Sequence, residues 1–333
     1  MRMVLASALF ALSALPAQAS AMLDAALNEH ILPGFAELEA NAARLSEVAT
    51  ETCDPQSPDL RAAFNEAWDS WIAVSHLRFG PTEAGNRAFA LGFWPDTRGV
   101  VPKSLAKLIA DEDPSVEEPV AFLDGSVAAR GVTALEFLLY DPALAVASEY
   151  HCALIRAVTE DIAITTAAIA EDWQGDYGAA FLAPGPDAPF RTETEALAAV
   201  YSGMTTGLEF TVEARLGRPL GTFERPRPKR AEARRAGRSL HHVLISIRSN
   251  AELAQILSTG HPEQAADIAA AFERAEEAAQ RVDDPTFEGV ADPSGRLRVE
   301  TLQQRVTNAR DTARLAIGPQ LGIAEGFNAL DGD

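Results

Sequence analysis

The chain has 333 residues, enough to bury a substantial core and, by length alone, to form either one or two domains. With 48 acidic against 28 basic residues its formal charge is −20 at pH 7, which disfavours nucleic acid and anionic lipid and favours cations. Two cysteines are too few for a thiolate metal site.

Met1-Arg2, the apolar run from Val4 to Pro16 and the small-x-small triplet Ala17-Gln18-Ala19 read as an export signal. That run is too short to span a bilayer, which takes roughly 20 residues, and no cysteine follows it to carry a lipid. Residues 1–19 are therefore expected to be removed, leaving a soluble periplasmic chain that starts near Ser20. Cys53 and Cys152 both lie in the exported part, where an oxidising compartment favours a disulfide over two separate buried thiols.

Alanine and leucine abound and no convincing strand pattern occurs, so the chain reads as helices joined by Pro- and Gly-marked turns. A first amphipathic helix is predicted over 20–49, bent near Pro33. Ser57-Pro58-Asp59 starts another, which runs to Phe79 before Gly80-Pro81 stops it. Residues 81–102 are irregular, and such a segment in a compact protein is usually functional or mobile. Helices follow over 103–111, from Asp124 to Tyr140, and over 145–172. The Pro/Gly-rich stretch from Gly175 to Pro189 marks a domain boundary, giving bundles over 20–174 and 175–333. The second half is predicted to hold helices over 191–216, 229–248, 250–258, 262–281 and 296–317. Arg225-Pro226-Arg227-Pro228-Lys229-Arg230 is a small basic patch, expected as a solvated linker. Thr133-Ala-Leu-Glu136-Phe137 is echoed by Thr206-Gly-Leu-Glu209-Phe210, which favours two bundles related by duplication. The fold class expected is all-α, with two tightly packed helical-bundle domains.

Hydrolytic machinery is sparse. There is no His-Glu-x-x-His helix, no Gly-x-Ser-x-Gly elbow and no Gly-rich phosphate loop. His241 and His242 are adjacent and point about 100° apart on a helix, a poor geometry for chelating one ion. His76 stands out because it lies in a dense polar-aromatic stretch, Trp68 to Glu83. Trp68, Trp71, Ile72, Ser75 and Phe79 share one helical face. Ser75 and Arg78 close that face beside the irregular loop with Glu83, Trp94 and Asp96. The stretch is either a polar pocket or a core stripe with surface charges.

Arg130, Thr133 and Glu136 repeat at three-residue steps and share a side of their helix. Glu136 lies in an apolar run, so it is either paired, to Arg78 or Arg130, or faces a cavity. Glu209 holds the matching place in the second half. Two carboxylates and two threonine hydroxyls meeting across the bundles would suit iron(III), calcium or magnesium.

Three segments carry a family resemblance. They are Trp71-Ile72-x-x-Ser75-x-Leu77-Arg78-Phe79-Gly80-Pro81-x-Glu83, the loop Phe93-Trp94-Pro95-Asp96, and Arg130-Gly131-x-Thr133-x-x-Glu136-Phe137-Leu138-Leu139-Tyr140. With the ending Leu321-Gly-x-x-x-Gly326-Phe327-Asn328-x-x-Asp331-Gly332-Asp333, the chain resembles imelysin-like proteins over essentially its whole mature length. The resemblance implies two helical bundles, export, an association with iron acquisition and a functional site at the domain interface. That family was named for an insulin-cleaving activity, and its Gly-x-His-x-x-Glu motif is taken as metal-binding. Here Thr133 stands in place of the histidine, and threonine supplies neither a nitrogen ligand nor a proton shuttle.

The function expected is binding of iron, an iron chelate or another small polar ligand on behalf of a membrane uptake system, with iron or another hard cation as the bound metal. Ser75, Arg78, Glu83, Asp96, Arg130, Thr133 and Thr206 are the candidate ligand-binding residues, and Glu136 and Glu209 the candidate metal ligands. The competing readings are a metallopeptidase and a non-catalytic partner-binding protein.

Overall fold

The structure of the protein, a computed structural model, describes the backbone of residues 14–323 and the side chains from residue 18 onward, those of residues 119 and 120 excepted. The start of the export signal and the ending from residue 324 lie outside the described residues. Within them the fold is all-α, and no strand is present.

The first helix is continuous but not regular. α1 (Ala14–Ala25) passes through a π turn (Ala26–Ile31) into α2 (Leu32–Glu51). Pro33 has no N–H to continue the α ladder, and the wider turn before it absorbs the mismatch. α3 (Pro58–Val74) starts as the sequence predicts, with the Ser57 hydroxyl accepting from Leu60 N at 3.3 Å. It stops five residues early. The chain turns at 75–78 because His76 packs onto α10 (Glu193–Phe210) at Gly203 and Gly207, where any Cβ would collide with it.

The irregular segment holds α4 (Arg87–Leu91) and α5 (Val100–Asp111), followed by α6 (Pro119–Leu123). α7 (Gly131–Tyr140) begins at Gly131, whose φ of 70° and close approach to the carbonyls of Ala90 and Leu91 exclude a side chain. α8 (Glu149–Gln174) is capped by Ser148, and a disulfide between Cys53 and Cys152 ties its start to the end of α2, with a Cα–Cα distance of 5.1 Å. The four long helices α2, α3, α7 and α8 pack as one group, closed at its far end by Phe35, Trp173 and Phe181, the last from α9 (Asp176–Leu182).

The second group comprises α10, α12 (Ser239–Leu257), α13 (Pro262–Gln280) and α14 (Pro293–Gln320), and α1 packs mainly onto α10, with further contacts to α9 and α12. Gln18 of α1 donates to the Thr259 carbonyl at 2.7 Å. A second π turn (Thr211–Leu216) leads from α10 into α11 (Gly217–Leu220). Residues expected to form a helix from 229 instead make turns, with Ala233 and Gly237 at positive φ, and α12 then runs unbroken to Leu257. The two groups share one continuous apolar core.

Candidate functional site

The groups meet where α3 and α7 face α12 and the 231–238 turn, and there the buried side chains are charged. Glu136 is 3% exposed. Its Oε1 accepts from the backbone N–H groups of Arg235 (2.9 Å) and Ala236 (3.2 Å), and the Arg235 guanidinium lies 3.6 Å from Oε2. Arg235 also pairs with Asp141 at 3.0 Å and rests on the Phe137 ring. Burial pushes the Glu136 carboxyl above its ordinary value, and Arg235 and the two amides only partly oppose this. So the carboxylate of the sequence motif holds the turn of the other half, and its partner is neither Arg78 nor Arg130.

Beside it lies a longer network. Asp69 on α3 receives both arms of Arg238, and its two oxygens also face His241 and His242, at 3.3 and 3.2 Å. The adjacent histidines thus do converge, on a carboxylate that lies between them. Burial raises the Asp69 pKa, but hydrogen bonds to His242 and Arg238 outweigh it and leave it lowered. His242 is fully buried, edge-on to Trp68, with its other nitrogen 3.9 Å from Glu232. Glu232 pairs with Arg215 at 2.8 Å. Burial also works against the Glu232 charge, but Arg215 and His242 hold its pKa down at about 2. Arg215 further donates to Thr211, Ser246 and Ser75, at 3.2, 3.4 and 3.3 Å. One polar chain therefore runs from α3 through α12 to the second π turn.

Of the residues singled out in the sequence, Ser75 joins this network and Glu136 sits next to it. Thr133 is buried on α7 with a hydroxyl that has no partner. Arg130 forks onto Asp161 at 2.6 and 3.0 Å and reaches the Leu123 carbonyl, inside the first group. Arg78 and Glu83 pair with each other in the open. Asp96 accepts from the amides of Arg98, Val100 and Val101 and pins the Trp94 loop to α5. The Thr206 hydroxyl donates back to the Ser202 carbonyl at 2.7 Å. Glu209 is exposed on α10, and no described contact joins it to Glu136.

His76 faces His30 of the first π turn, Nε2 to Nε2 at 3.1 Å, so one ring donates an N–H to the other. Burial, then His30 and Arg215, keep the His76 pKa well below its usual value. A bare cation does not fit the motif carboxylate: Glu136 already takes two N–H donors and a guanidinium, and Thr133 stands where a nitrogen ligand would be needed. Among the described residues no three His, Cys, Asp or Glu side chains are grouped to hold a metal ion.

Sequence reasoning missed Asp69, Arg215, Glu232, Arg235, Arg238 and His242. The available signal was charge inside apolar runs, as at Asp69 between two tryptophans and Arg215 within Val212-x-Ala-x-Leu, together with the density of arginine after position 225.

The fold and sequence have relatives. Over 98% of this chain and 100% of the other, the structure matches an imelysin-like protein from Psychrobacter arcticum with a TM-score of 0.79 at 17% identity. It matches a Parabacteroides distasonis protein, described as an iron-regulated protein A precursor, with a TM-score of 0.72 at 13% identity, over 91% and 95% of the two chains. In sequence it is 22% identical to iron-regulated protein A of Synechococcus elongatus over 315 residues, 88% of this chain and 84% of that one. The profile of the imelysin family, peptidase family M75, matches residues 31–313, and the chain belongs to that family.

Proposed function

We propose that this protein is an exported, periplasmic member of the family that serves iron uptake by carrying an iron complex or a similar small polar ligand at a polar site between its helical groups, for a membrane uptake system. The observation that carries the reading is the state of Glu136. In a metallopeptidase this carboxylate must be free to bind a metal or move a proton. Here it clasps the 231–238 turn, next to a threonine, beneath protein. His242 is equally enclosed and reaches no surface from which a peptide could be attacked. Export is supported by the Met1–Ala19 signal, and no described helix is long and apolar enough to cross a membrane. The iron association is supported by the iron-regulated relatives.

The test is calorimetric titration of the purified chain with ferric citrate, Fe(II), Zn(II) and Ca(II), repeated on Glu136→Gln. Saturable binding of ferric citrate that survives in the variant is the expected result. Tight binding of a bare cation that Glu136→Gln abolishes would restore a resident metal. Peptide turnover lost in Glu136→Ala would establish the metallopeptidase, and no saturable heat from any iron species would end the iron reading.

A further inference from the structure

Most buried or half-buried guanidinium groups here face a carboxylate, as Arg130, Arg215, Arg235 and Arg238 do. The segment from Arg218 to Arg230 behaves differently. Arg218, Arg225, Arg227, Lys229 and Arg230 form no ion pair among the described residues, in a chain whose net charge is −20. The one carboxylate in that stretch, Glu224, is exposed and pairs with none of them.

Arg218 is the centre of this region. Its Nε is buried and has no acceptor. Its guanidinium lies 5.9 Å from the centre of the Trp94 ring, and Trp94 in turn meets Phe210 edge-on at 5.7 Å. The loop after α11 folds back, with Thr222 and Arg225 bonding each other and Arg227 N donating to the Pro219 carbonyl at 2.8 Å. That return places Arg230 beside Arg218, and burial and then this second cation make the Arg218 charge harder to hold. Trp94 comes from the first helical group, in a loop held by Asp96, and Arg218 comes from the second. A half-buried cation with an unused donor, a like-charged neighbour and an aromatic wall thus lacks a counter-ion among the described residues.

We propose that this corner binds a small multivalent oxyanion of the polycarboxylate class, with the Arg218 fork taking one carboxylate, Arg230 a second, and Trp94 walling the carbon skeleton. The inference rests on the function proposed above in one respect: it names the carboxylates of an iron chelate as the groups recognised. A free polycarboxylate uses the same contacts.

Tryptophan fluorescence reads the site, because Trp94 is partly exposed while Trp68, Trp71 and Trp173 are buried. Citrate, inorganic phosphate and ferric citrate would be titrated into the full chain, with calorimetry in parallel. The expected result is a saturable response to citrate, weakened at least tenfold in Arg218→Gln and at least threefold in Arg230→Gln, and falling as sodium chloride rises. Trp94→Phe should remove the optical signal and keep the heat. Thermal melts of each variant separate lost binding from lost folding. Citrate binding without ferric citrate binding would uphold the anion site and overturn the iron reading. Ferric citrate binding unchanged in Arg218→Gln would overturn the anion site and leave the iron reading standing. Response to phosphate alone, or to no anion, would overturn the polycarboxylate site.

Discussion

The α3–α12 junction and the Arg218–Trp94 corner both place arginine against aromatic rings between the helical groups, yet their electrostatics are opposite. At the junction Asp69, Glu136 and Glu232 each have a guanidinium partner, with backbone amides or histidine beside them, and hydroxyl groups accept from Arg215. At the corner Arg218 has an indole and a second cation, but no acid among the described residues. A buried charge network complete within the chain holds two bodies together, because opening it strands charges in a low-dielectric interior. An incomplete one leaves an interaction for a molecule that is not part of the chain. This difference separates fastening from recognition more reliably than residue type, since both regions are rich in arginine.

The sharpest way to break the comparison is Arg215→Met. If the junction is a fastening, the variant strands Glu232 and loses about 3–5 kcal/mol in urea denaturation, and pairing it with Glu232→Leu recovers most of that loss. Stability unchanged in the single variant would mean the junction is not what holds the halves.

Acid titration gives a somewhat smaller effect. Glu232 is held at about 2 in the folded chain against an ordinary 4.5, so the unfolded chain binds the proton more readily. The sign follows: its contribution is complete above about pH 4.5 and is lost as the pH falls toward 2. A shift of that size corresponds to about 3 kcal/mol. Glu136 acts the other way, because its raised pKa means that protonation relieves its burial penalty as the pH falls. The urea midpoint of the wild type should therefore fall between pH 5 and 3, with a slope that Glu232→Gln flattens.

The smallest expected effect sits at the corner. Arg218→Gln removes a charge that no described residue balances, so its stability without ligand should stay within about 0.5 kcal/mol of wild type. A loss comparable to that of Arg215→Met would show that Arg218 belongs to the scaffold, and the contrast between the two regions would disappear.

Much of this architecture was legible in the residues. The helical class follows from composition and periodicity, α3 begins at its Ser-Pro-Asp signal, and the Cys53–Cys152 bond is the pairing expected of an even pair in an oxidising compartment. These features are local or compositional: neighbouring residues specify the helix and its start, and the count of two cysteines specifies the pairing. Glu136 was marked by sequence alone as a carboxylate needing a reason to be buried, because an acid inside Val132–Tyr140 violates the pattern around it.

What occupies that carboxylate was decided only by the fold. The 229–238 segment carries helix-forming residues and reads as a helix, but its backbone amides and arginines find carboxylates on α3 and α7, and those bonds outweigh local propensity. The convergence of His241 and His242 on Asp69 has the same origin: adjacent side chains point apart along a helix, yet a partner from α3 stands between them. Likewise Glu209, matched to Glu136 by motif, faces outward because the two motifs lie on helices packed in different ways. Sequence spacing places side chains around one helix axis, and only tertiary packing brings two axes together. The partners of buried charges, and the arginine left without one, therefore belong to the tertiary structure.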